Sequence, residues 1–302
     1  MKNKVAIIGC GNVGMSYAYA LLNQRTKVTE IVLIDIKKEK VVGEAMDLNH
    51  GLAFSPSKIE IKAGDYIDCS DASIVCICAG ANQEKSESRL DLIHKNHAIF
   101  KDIIDKVVST GFNGIFLIAT NPVDILTHIT YKESNFDKRK VIGSGTTLDT
   151  ARLRYLIGEK LNISPKNVHA YVIGEHGDSE FVSWSNAYVG SIKMDEYLSK
   201  DILHQISDSV KSAAYEIISR KEATYYAIGM VLVRITNAIF DDENSILTVS
   251  CYDKEHRIFI GKPCIVNKDG AVKAIDIDLN EEEKALFDQS ANIIKEEIEK
   301  LK

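Results

Sequence analysis

No apolar run in the 302-residue sequence approaches the roughly 20 residues that span a bilayer. Positive charge is also in short supply, because 37 Lys and Arg stand against 43 Asp and Glu, which gives a formal net charge of -6. This balance repels nucleic-acid phosphates and anionic lipids, so neither nucleic acid nor a membrane is expected as a partner. The first residues lead directly into an apolar run at 5–8 with no cleavage-type segment, and we therefore expect a cytoplasmic location.

Cysteine and proline are sparse as well. The six cysteines contain no C-x-x-C pair, so the sequence predicts reduced thiols rather than a disulfide scaffold. Cys76 and Cys78 lie in the apolar run 74–79, which favours small core side chains of a strand over a metal site. His94 and His97 come closest to a ligand pair, but a charged helical stretch surrounds them, and we expect no metal. With four prolines and no repeat or low-complexity segment, no long linker is expected.

Short β-branched runs alternate with stretches of helical period through the first half of the chain, which is the pattern of βαβ units. The predicted strands are 5–8, 31–34, 59–62, 74–78, 115–119 and 140–143, and the clearest helices are 14–23 and 90–109. After about residue 145 come long helical stretches at 150–161 and 197–236, a β-rich stretch at 246–277, and a docked helix beginning at a capping box at Asn280. The sequence predicts a Rossmann-type, doubly wound α/β domain at 1–145 and an α+β substrate domain at 146–302.

The first strand leads into the motif G-x-G-x-x-G at Gly9, Gly11 and Gly14. Gly9 allows a tight turn, Gly11 lets a pyrophosphate approach the backbone, and Gly14 lets the following helix pack closely on the strand. The N-terminus of that helix supplies amide donors for phosphates. Asp35 follows the second strand 21 residues after Gly14, where a carboxylate accepts hydrogen bonds from ribose hydroxyls and repels a 2′-phosphate. The motif therefore predicts NAD rather than NADP, and the alternative is a glycine-rich turn without a ligand.

Three later segments carry more polar residues than packing requires. They are T-N-P-V-D at 120–124, L-D-T-A-R at 148–152 and I-G-E-H-G-D at 173–178. Ligands bind at the carboxyl ends of strands in open α/β sheets, so we expect a site there. Together with the glycine motif, and over nearly the whole chain, these segments resemble the lactate/malate dehydrogenase family. The resemblance implies an oxidoreductase that interconverts pyruvate and L-lactate by hydride transfer with NAD.

The resemblance implies a role for each polar side chain. His176 is the general acid and base, which suits an imidazole near neutral pH, and Asp149 holds its tautomer and raises its pKa. Arg152, one helical turn after Asp149, binds the substrate carboxylate with its planar fork. Asn121 hydrogen-bonds the reacting oxygen, and Ser144 binds the nicotinamide amide. On the residues alone, His176 could instead be a buried histidine that serves packing.

Residues 83–89 resemble the mobile loop that closes over the substrate in this family. Arg89 is implied to polarise the reacting carbonyl. Neutral Gln83 leaves a second substrate carboxylate unpaired, which favours pyruvate over oxaloacetate. Thr224 matches the small polar residue at the methyl end of the pocket. The loop lacks the Pro and Gly that many relatives have after the Gln, so a malate or broader L-2-hydroxy-acid dehydrogenase is the alternative.

The resemblance also implies a wider set of cofactor contacts. Besides the residues already named, they are Val13, Lys40, Tyr66, Gly80, Ala81 and Thr120, with Asn121 shared between cofactor and substrate. A protein that only binds NAD needs the glycine motif and Asp35 but no proton donor or carboxylate clamp. A catalytically silent NAD sensor is therefore the alternative from a different functional class.

Arg154 lies two residues after Arg152, about 200° round a helix, so the two side chains face different ways. In family members that fructose 1,6-bisphosphate activates, an arginine and a histidine at the positions of Arg154 and His169 line an anion site between subunits. The resemblance therefore implies a homotetramer that this sugar bisphosphate activates. The alternative is a surface arginine and a surface histidine in a subunit contact.

Overall fold

A largely parallel sheet forms the centre of the structure. The structure is a computed structural model that describes residues 3–81 and 89–301, with only the backbone described at 89–91. The parallel strands are β1 (Lys4–Ile8), β2 (Glu30–Ile34), β3 (Glu60–Ala63), β4 (Ile74–Ile77), β5 (Ile115–Ile118) and β6 (Val141–Gly143). Their order across the sheet is β3-β2-β1-β4-β5-β6, with the reversal of direction beside β1 that defines a doubly wound sheet. The predicted α/β, Rossmann-type fold class is confirmed.

The second half of the chain contributes short antiparallel strands. They are β7 (Val168–His169), β8 (Val172–Ile173), β9 (Phe181–Val182), β10 (Tyr188–Val189), β11 (Ile192–Lys193), β12 (Ser245–Leu247), β13 (Ser250–Asp253), β14 (Ile258–Gly261), β15 (Cys264–Asn267) and β16 (Gly270–Ala274). Of these, β13 and β14 extend the large sheet, because β13 pairs with β6 where Ser250 lies opposite Gly143. The large sheet thus takes strands from both sides of the predicted boundary at 145/146, and that boundary stays a prediction.

Helices cover both faces of the sheet. They are α1 (Asn12–Asn23), α2 (Lys38–Gly51), α3 (Arg89–Ser109), α4 (Val123–Ser134), α5 (Thr147–Leu161), α6 (Met194–Tyr197), α7 (Lys200–Lys221), α8 (Tyr226–Phe240) and α9 (Glu281–Glu299). Among residues 3–81 and 89–301, none of the helices has the length and apolar character needed to cross a membrane. The capping box predicted at Asn280 is confirmed, because Asn280 and Glu283 each accept a hydrogen bond from the other's backbone N–H.

The prediction of helix throughout 197–236 was wrong, because a non-helical segment separates α7 from α8. Glu222 adopts the left-handed conformation with φ +69°, and its N–H donates to the carbonyl of Ile218, which closes α7. The break contains neither glycine nor proline, so no local signal in the sequence predicts it.

Alternate residues of the parallel strands supply two separate cores. On β1, Val5 and Ile7 face the core formed with α1, α2 and α8, whereas Ile8 faces the core formed with α3, α4 and α9. A third core holds α5 against α7. Burial on both faces explains why the parallel strands, except the edge strand β3, are almost wholly apolar. It also fixes their carboxyl ends along one edge of the sheet, where the predicted site residues follow.

Candidate functional site

The turn between β1 and α1 has the geometry of a phosphate-binding loop. Gly9 has φ +98°, and a Cβ at this position would lie 2.4 Å from the Ala79 backbone nitrogen. A Cβ at Gly14 would lie 2.1 Å from the Gly9 carbonyl oxygen. Among the described residues, and apart from its own chain neighbours, no heavy atom lies within 4 Å of the Cβ position of Gly11, so the loop is open on the side where a pyrophosphate would approach. The residues present therefore fit a dinucleotide lying against the N-terminus of α1.

Asp35 is fixed beside this loop by two backbone donors. Its Oδ2 accepts a hydrogen bond of 2.8 Å from the Cys10 N–H, and its Oδ1 accepts one of 3.0 Å from the Lys37 N–H. The Lys40 ammonium donates to the Cys10 carbonyl, which ties α2 to the same turn. The carboxylate is thus held at the carboxyl end of β2, as the predicted contact with a ribose requires.

The other predicted cofactor residues follow the remaining strands in turn. Thr120 and Asn121 lie after β5, Ser144 lies after β6, Gly80 and Ala81 lie after β4, Tyr66 lies after β3, and Val13 lies after β1 in the first turn of α1. Parallel strands share one carboxyl edge, so the structure brings these residues to the same edge of the sheet. Ser144 is buried there, with its N–H donating to the Ile118 carbonyl.

A buried amide that the sequence analysis missed joins two of these segments. Asn96 of α3 is fully buried, its Oδ1 accepts a hydrogen bond of 2.8 Å from the Ala81 N–H, and its Nδ2 donates to the Asn121 carbonyl over 3.3 Å. The Thr120 hydroxyl donates to the Ala79 carbonyl over 2.8 Å in the same place. Asn96 fits the polar pattern of a solvated helix face, so only the fold reveals its position.

The predicted catalytic side chains meet around one buried carboxylate. Asp149, in the first turn of α5, has no exposed surface. Its Oδ2 accepts a hydrogen bond of 2.7 Å from Nδ1 of His176, and its Oδ1 accepts one of 2.6 Å from the Arg152 guanidinium. The side chains of His176 and Arg152 keep 22% and 13% of their surface exposed, so both remain accessible to a small molecule. Asp149 therefore fixes an imidazole and a guanidinium relative to each other.

Electrostatics favour a charged imidazole in this group. Burial is the largest single effect and would lower the pKa of His176 and raise that of Asp149, but the opposite charges and hydrogen bonds around the pair, with Glu180 acting on His176 and Arg152 on Asp149, together outweigh it. The pKa of His176 is therefore raised well above that of free imidazole, and the pKa of Asp149 is lowered. Since a carboxylate only accepts, Nδ1 carries a proton, and Nε2 is the nitrogen suited to exchange one with a substrate.

A second buried carboxylate supports His176 through its backbone. Asp124, in the first turn of α4, accepts a 2.7 Å hydrogen bond from the His176 N–H on Oδ2 and a 2.6 Å bond from the Ser250 hydroxyl on Oδ1. Burial raises the pKa of Asp124 to about 6 although both hydrogen bonds oppose this. Asp124 thereby links α4, the turn that carries His176, and β13.

Removal of this carboxylate is expected to cost stability. Asp124→Ala leaves the His176 N–H and the Ser250 hydroxyl without their acceptor, so we expect the free energy of unfolding to fall by about 2 kcal/mol or more. Urea unfolding at neutral pH measures it. The matched control is Asp102→Ala on the exposed face of α3, where a surface ion pair with Lys106 is lost for about 0.5 kcal/mol or less. Equal stability of Asp124→Ala and Asp102→Ala would contradict this account.

Glu180 is a third buried carboxylate that the sequence analysis missed. Its Oε2 lies 3.8 Å from Nδ1 of His176, and its side chain is 5% exposed. In the described part of the chain, Asp149, His176 and Glu180 are the one group of three potential metal ligands whose atoms lie within 4.8 Å of one another. Asp149 already accepts a hydrogen bond from the Arg152 guanidinium. We therefore assign this cluster to holding a proton and balancing charge around His176 rather than to binding a metal. One sequence signal was available for Glu180: it is an acidic residue four positions after His176 and next to a pair of apolar residues.

The remaining predicted residues come from other segments of the chain. Thr224 is half-buried in the loop between α7 and α8. Gln83 lies outside the described residues, as does the side chain of Arg89, which begins α3. Arg154 is half-buried, donates to the Ala170 carbonyl over 3.3 Å and lies over the Tyr171 ring, whereas the neighbouring His169 is exposed on β7.

The chain is similar to known dehydrogenases over nearly its whole length. The family model described as lactate/malate dehydrogenase, NAD binding domain, matches residues 3–143, and that described as lactate/malate dehydrogenase, alpha/beta C-terminal domain, matches residues 146–302. An L-lactate dehydrogenase of Bacillus velezensis is 53% identical, over 97% of this chain and 96% of its own.

Solved structures agree along the full length. A lactate dehydrogenase from a Medee basin deep-sea metagenome library is 52% identical with a TM-score of 0.97, covering 99% of both chains. The minor L-lactate dehydrogenase of Enterococcus mundtii in its ligands-bound form is 44% identical with a TM-score of 0.96, covering 100% of this chain and 99% of its own. Its ligands-unbound form gives a TM-score of 0.90 at 42% identity, covering 100% and 98%. The conformation of this chain is therefore more similar to the ligands-bound form.

Proposed function

The chain belongs to the lactate/malate dehydrogenase family, and we propose that it interconverts pyruvate and L-lactate with NAD as the hydride carrier. One observation carries the assignment of the site. Asp149 holds His176 on one carboxylate oxygen and Arg152 on the other, so a proton donor and a binding group for a substrate carboxylate have a fixed separation. A 2-oxo acid needs both groups, because its carbonyl is reduced next to its carboxylate.

The proton is transferred by His176. Asp149 accepts the Nδ1 hydrogen bond, which orients the ring and stabilises the imidazolium, while Nε2 donates a proton to the keto oxygen of pyruvate. In the reverse direction the neutral imidazole accepts the hydroxyl proton of lactate. NADH, when bound, supplies the hydride to the carbonyl carbon, and NAD+ accepts it in the reverse direction.

Substrate binding follows from the remaining groups. The Arg152 guanidinium uses one nitrogen for Asp149 and keeps further N–H donors in its plane for two oxygens of the substrate carboxylate. We assign Asn121 and Arg89 to the reacting oxygen, Thr224 to the methyl end of the pocket, and Gln83 to the exclusion of a second carboxylate. The cofactor is assigned to the glycine loop, Asp35 and the strand ends that follow.

The substrate assignment is tested by comparing pyruvate with oxaloacetate. NADH oxidation is followed by absorbance with each 2-oxo acid in parallel, and we expect kcat/KM to favour pyruvate by about 100-fold or more, because a buried unpaired carboxylate is costly. The Gln83→Arg variant is the matched control and is expected to move the preference toward oxaloacetate. A wild-type preference for oxaloacetate or for longer 2-oxo acids would overturn the assignment to pyruvate and leave the proton transfer by His176 in place.

We also propose that the active form is a homotetramer which fructose 1,6-bisphosphate activates through Arg154 and His169. The support is that Arg154 reaches the carbonyl of Ala170, the residue after His169, so that both side chains belong to one part of the surface. Pyruvate saturation curves with and without the sugar bisphosphate, combined with sedimentation, test this proposal. Superimposable curves would remove it. The cytoplasmic location stays a prediction from the sequence.

A further inference from the structure

We propose that Glu180 acts through His176 as a second carboxylate, stabilising the protonated imidazole and extending pyruvate reduction to higher pH. Glu180 does not reach the substrate in this proposal. Its effect is on the charge that the imidazole carries. The inference rests on the proposed function, because it assigns a role within the same site.

The chain turns back after His176, so that Glu180, four residues later, lies beside the histidine ring. The chain turns after His176, with the Glu180 N–H donating to the Gly177 carbonyl over 3.2 Å, and then enters β9, which pairs with β8. This hairpin puts Oε2 of Glu180 3.8 Å from Nδ1, the same ring nitrogen that donates to Asp149. Glu180 and Asp149 therefore approach the ring from the side that holds Nδ1, which leaves the Nε2 side for the substrate.

Glu180 adds a negative charge on the side of the ring that holds Nδ1. Asp149 of α5 contacts the ring and binds Arg152, Glu180 approaches the ring from the residue before β9, and Asp124 of α4 binds the His176 backbone N–H. Arg152 and protonated His176 together carry two positive charges, whereas Asp149 carries one negative charge. Asp124 contacts only the backbone of His176, whereas ionised Glu180 supplies a second negative charge beside the ring itself, in a place that solvent hardly reaches.

The burial of Glu180 restricts the pH range of this effect. Burial raises the pKa of Glu180 to about 7, although His176 and Arg152 both oppose the rise. Below that pH, Glu180 is protonated and adds no charge beside the ring. Above it, the carboxylate ionises and holds the proton on His176, where Asp149 alone would begin to lose it.

The pH profile of Glu180→Gln tests the inference. We expect kcat/KM for pyruvate to coincide with the wild-type value below about pH 6, and its alkaline limb to move down by about one pH unit, which is a loss of about tenfold on that limb. Lactate oxidation, which needs the neutral imidazole, should reach its plateau at a correspondingly lower pH. Uniform loss of activity with an unshifted limb would show a purely structural role and overturn the inference, as would an unchanged profile.

Two variants and one direct measurement complete the design. Glu180→Asp keeps a carboxylate and should restore part of the shift, whereas Glu159→Gln removes an exposed charge from α5 and should leave the limb in place. NMR titration of the His176 ring in the cofactor-free protein, with His176→Asn identifying the resonance, should show the same downward shift of pKa in Glu180→Gln. If the wild-type protein reduced no pyruvate but Glu180→Gln still lowered the pKa of His176, the proposed function would be refuted and only the effect of Glu180 on the imidazole charge would stand. If the wild-type protein reduced pyruvate but Glu180→Gln did not lower the pKa of His176, the inference would be refuted and the proposed function would stand.

Discussion

His176→Asn is expected to lower kcat for pyruvate reduction by about 10³-fold, because it removes the only group assigned to proton transfer. Asparagine keeps a polar side chain of similar reach but has no proton to give near neutral pH. Stopped-flow and steady-state measurements of NADH oxidation give the size of the loss. NADH binding, followed by its fluorescence, should stay within a few-fold of the wild-type value, since the glycine loop is untouched.

The control for this variant is another histidine on the surface. His204→Asn alters an exposed residue on α7 that pairs with Asp208, and we expect unchanged turnover. A His176→Asn protein that turned over within a few-fold of the wild-type rate would mean that the proton comes from elsewhere. The silent NAD sensor would gain support only if the wild-type protein bound NADH and reduced no 2-oxo acid.

Arg152→Lys is expected to lower kcat/KM for pyruvate by about 100-fold, mainly by raising KM. Lysine keeps the positive charge but loses the planar fork that can bind Asp149 and two carboxylate oxygens at once. Saturation curves for pyruvate at fixed NADH separate KM from kcat, and the KM for NADH should change little.

The same substitution at an exposed arginine isolates the effect of the site. Arg220→Lys, in an exposed pair with Glu216 on α7, should be kinetically silent. If Arg152→Lys left the KM for pyruvate unchanged, Arg152 would serve only to hold Asp149, and the substrate carboxylate would bind elsewhere.

The sequence predicts best those parts of the cofactor site whose residues directly follow a strand, because ligands bind at the carboxyl ends of strands in open α/β sheets. The glycine motif and Asp35 follow successive strands, and the roles of Asp149, Arg152 and His176 came from the family resemblance; the structure brings these three together. Contacts that depend on tertiary folding could not be predicted. Asp124 meets Ser250 across 126 positions of sequence, and no periodicity or spacing connects them.

Buried polar residues on helices and hairpins were missed for a related reason. From the sequence, Asn96 is expected on a charged, solvated helix face. In the structure, α3 packs over the ends of β4 and β5 and buries this side chain. Glu180, like most acidic residues, is expected from the sequence to be exposed. In the structure, the β8–β9 hairpin places it beside His176. In both cases the residue type suggests solvent, and only the packing shows burial. The break at Glu222 was missed because a left-handed residue other than glycine leaves no mark on the sequence.

The pairing of β13 with β6 has a consequence for the nascent chain. When the ribosome has made the first 145 residues, the six parallel strands are all present, but β6 is still an edge strand with backbone donors and acceptors open to any other chain. The strand that covers this edge begins at Ser250, so more than one third of the polypeptide must still be synthesised first. Until then, the half that carries the glycine loop has an unpaired sheet edge, which is a template for pairing with another chain.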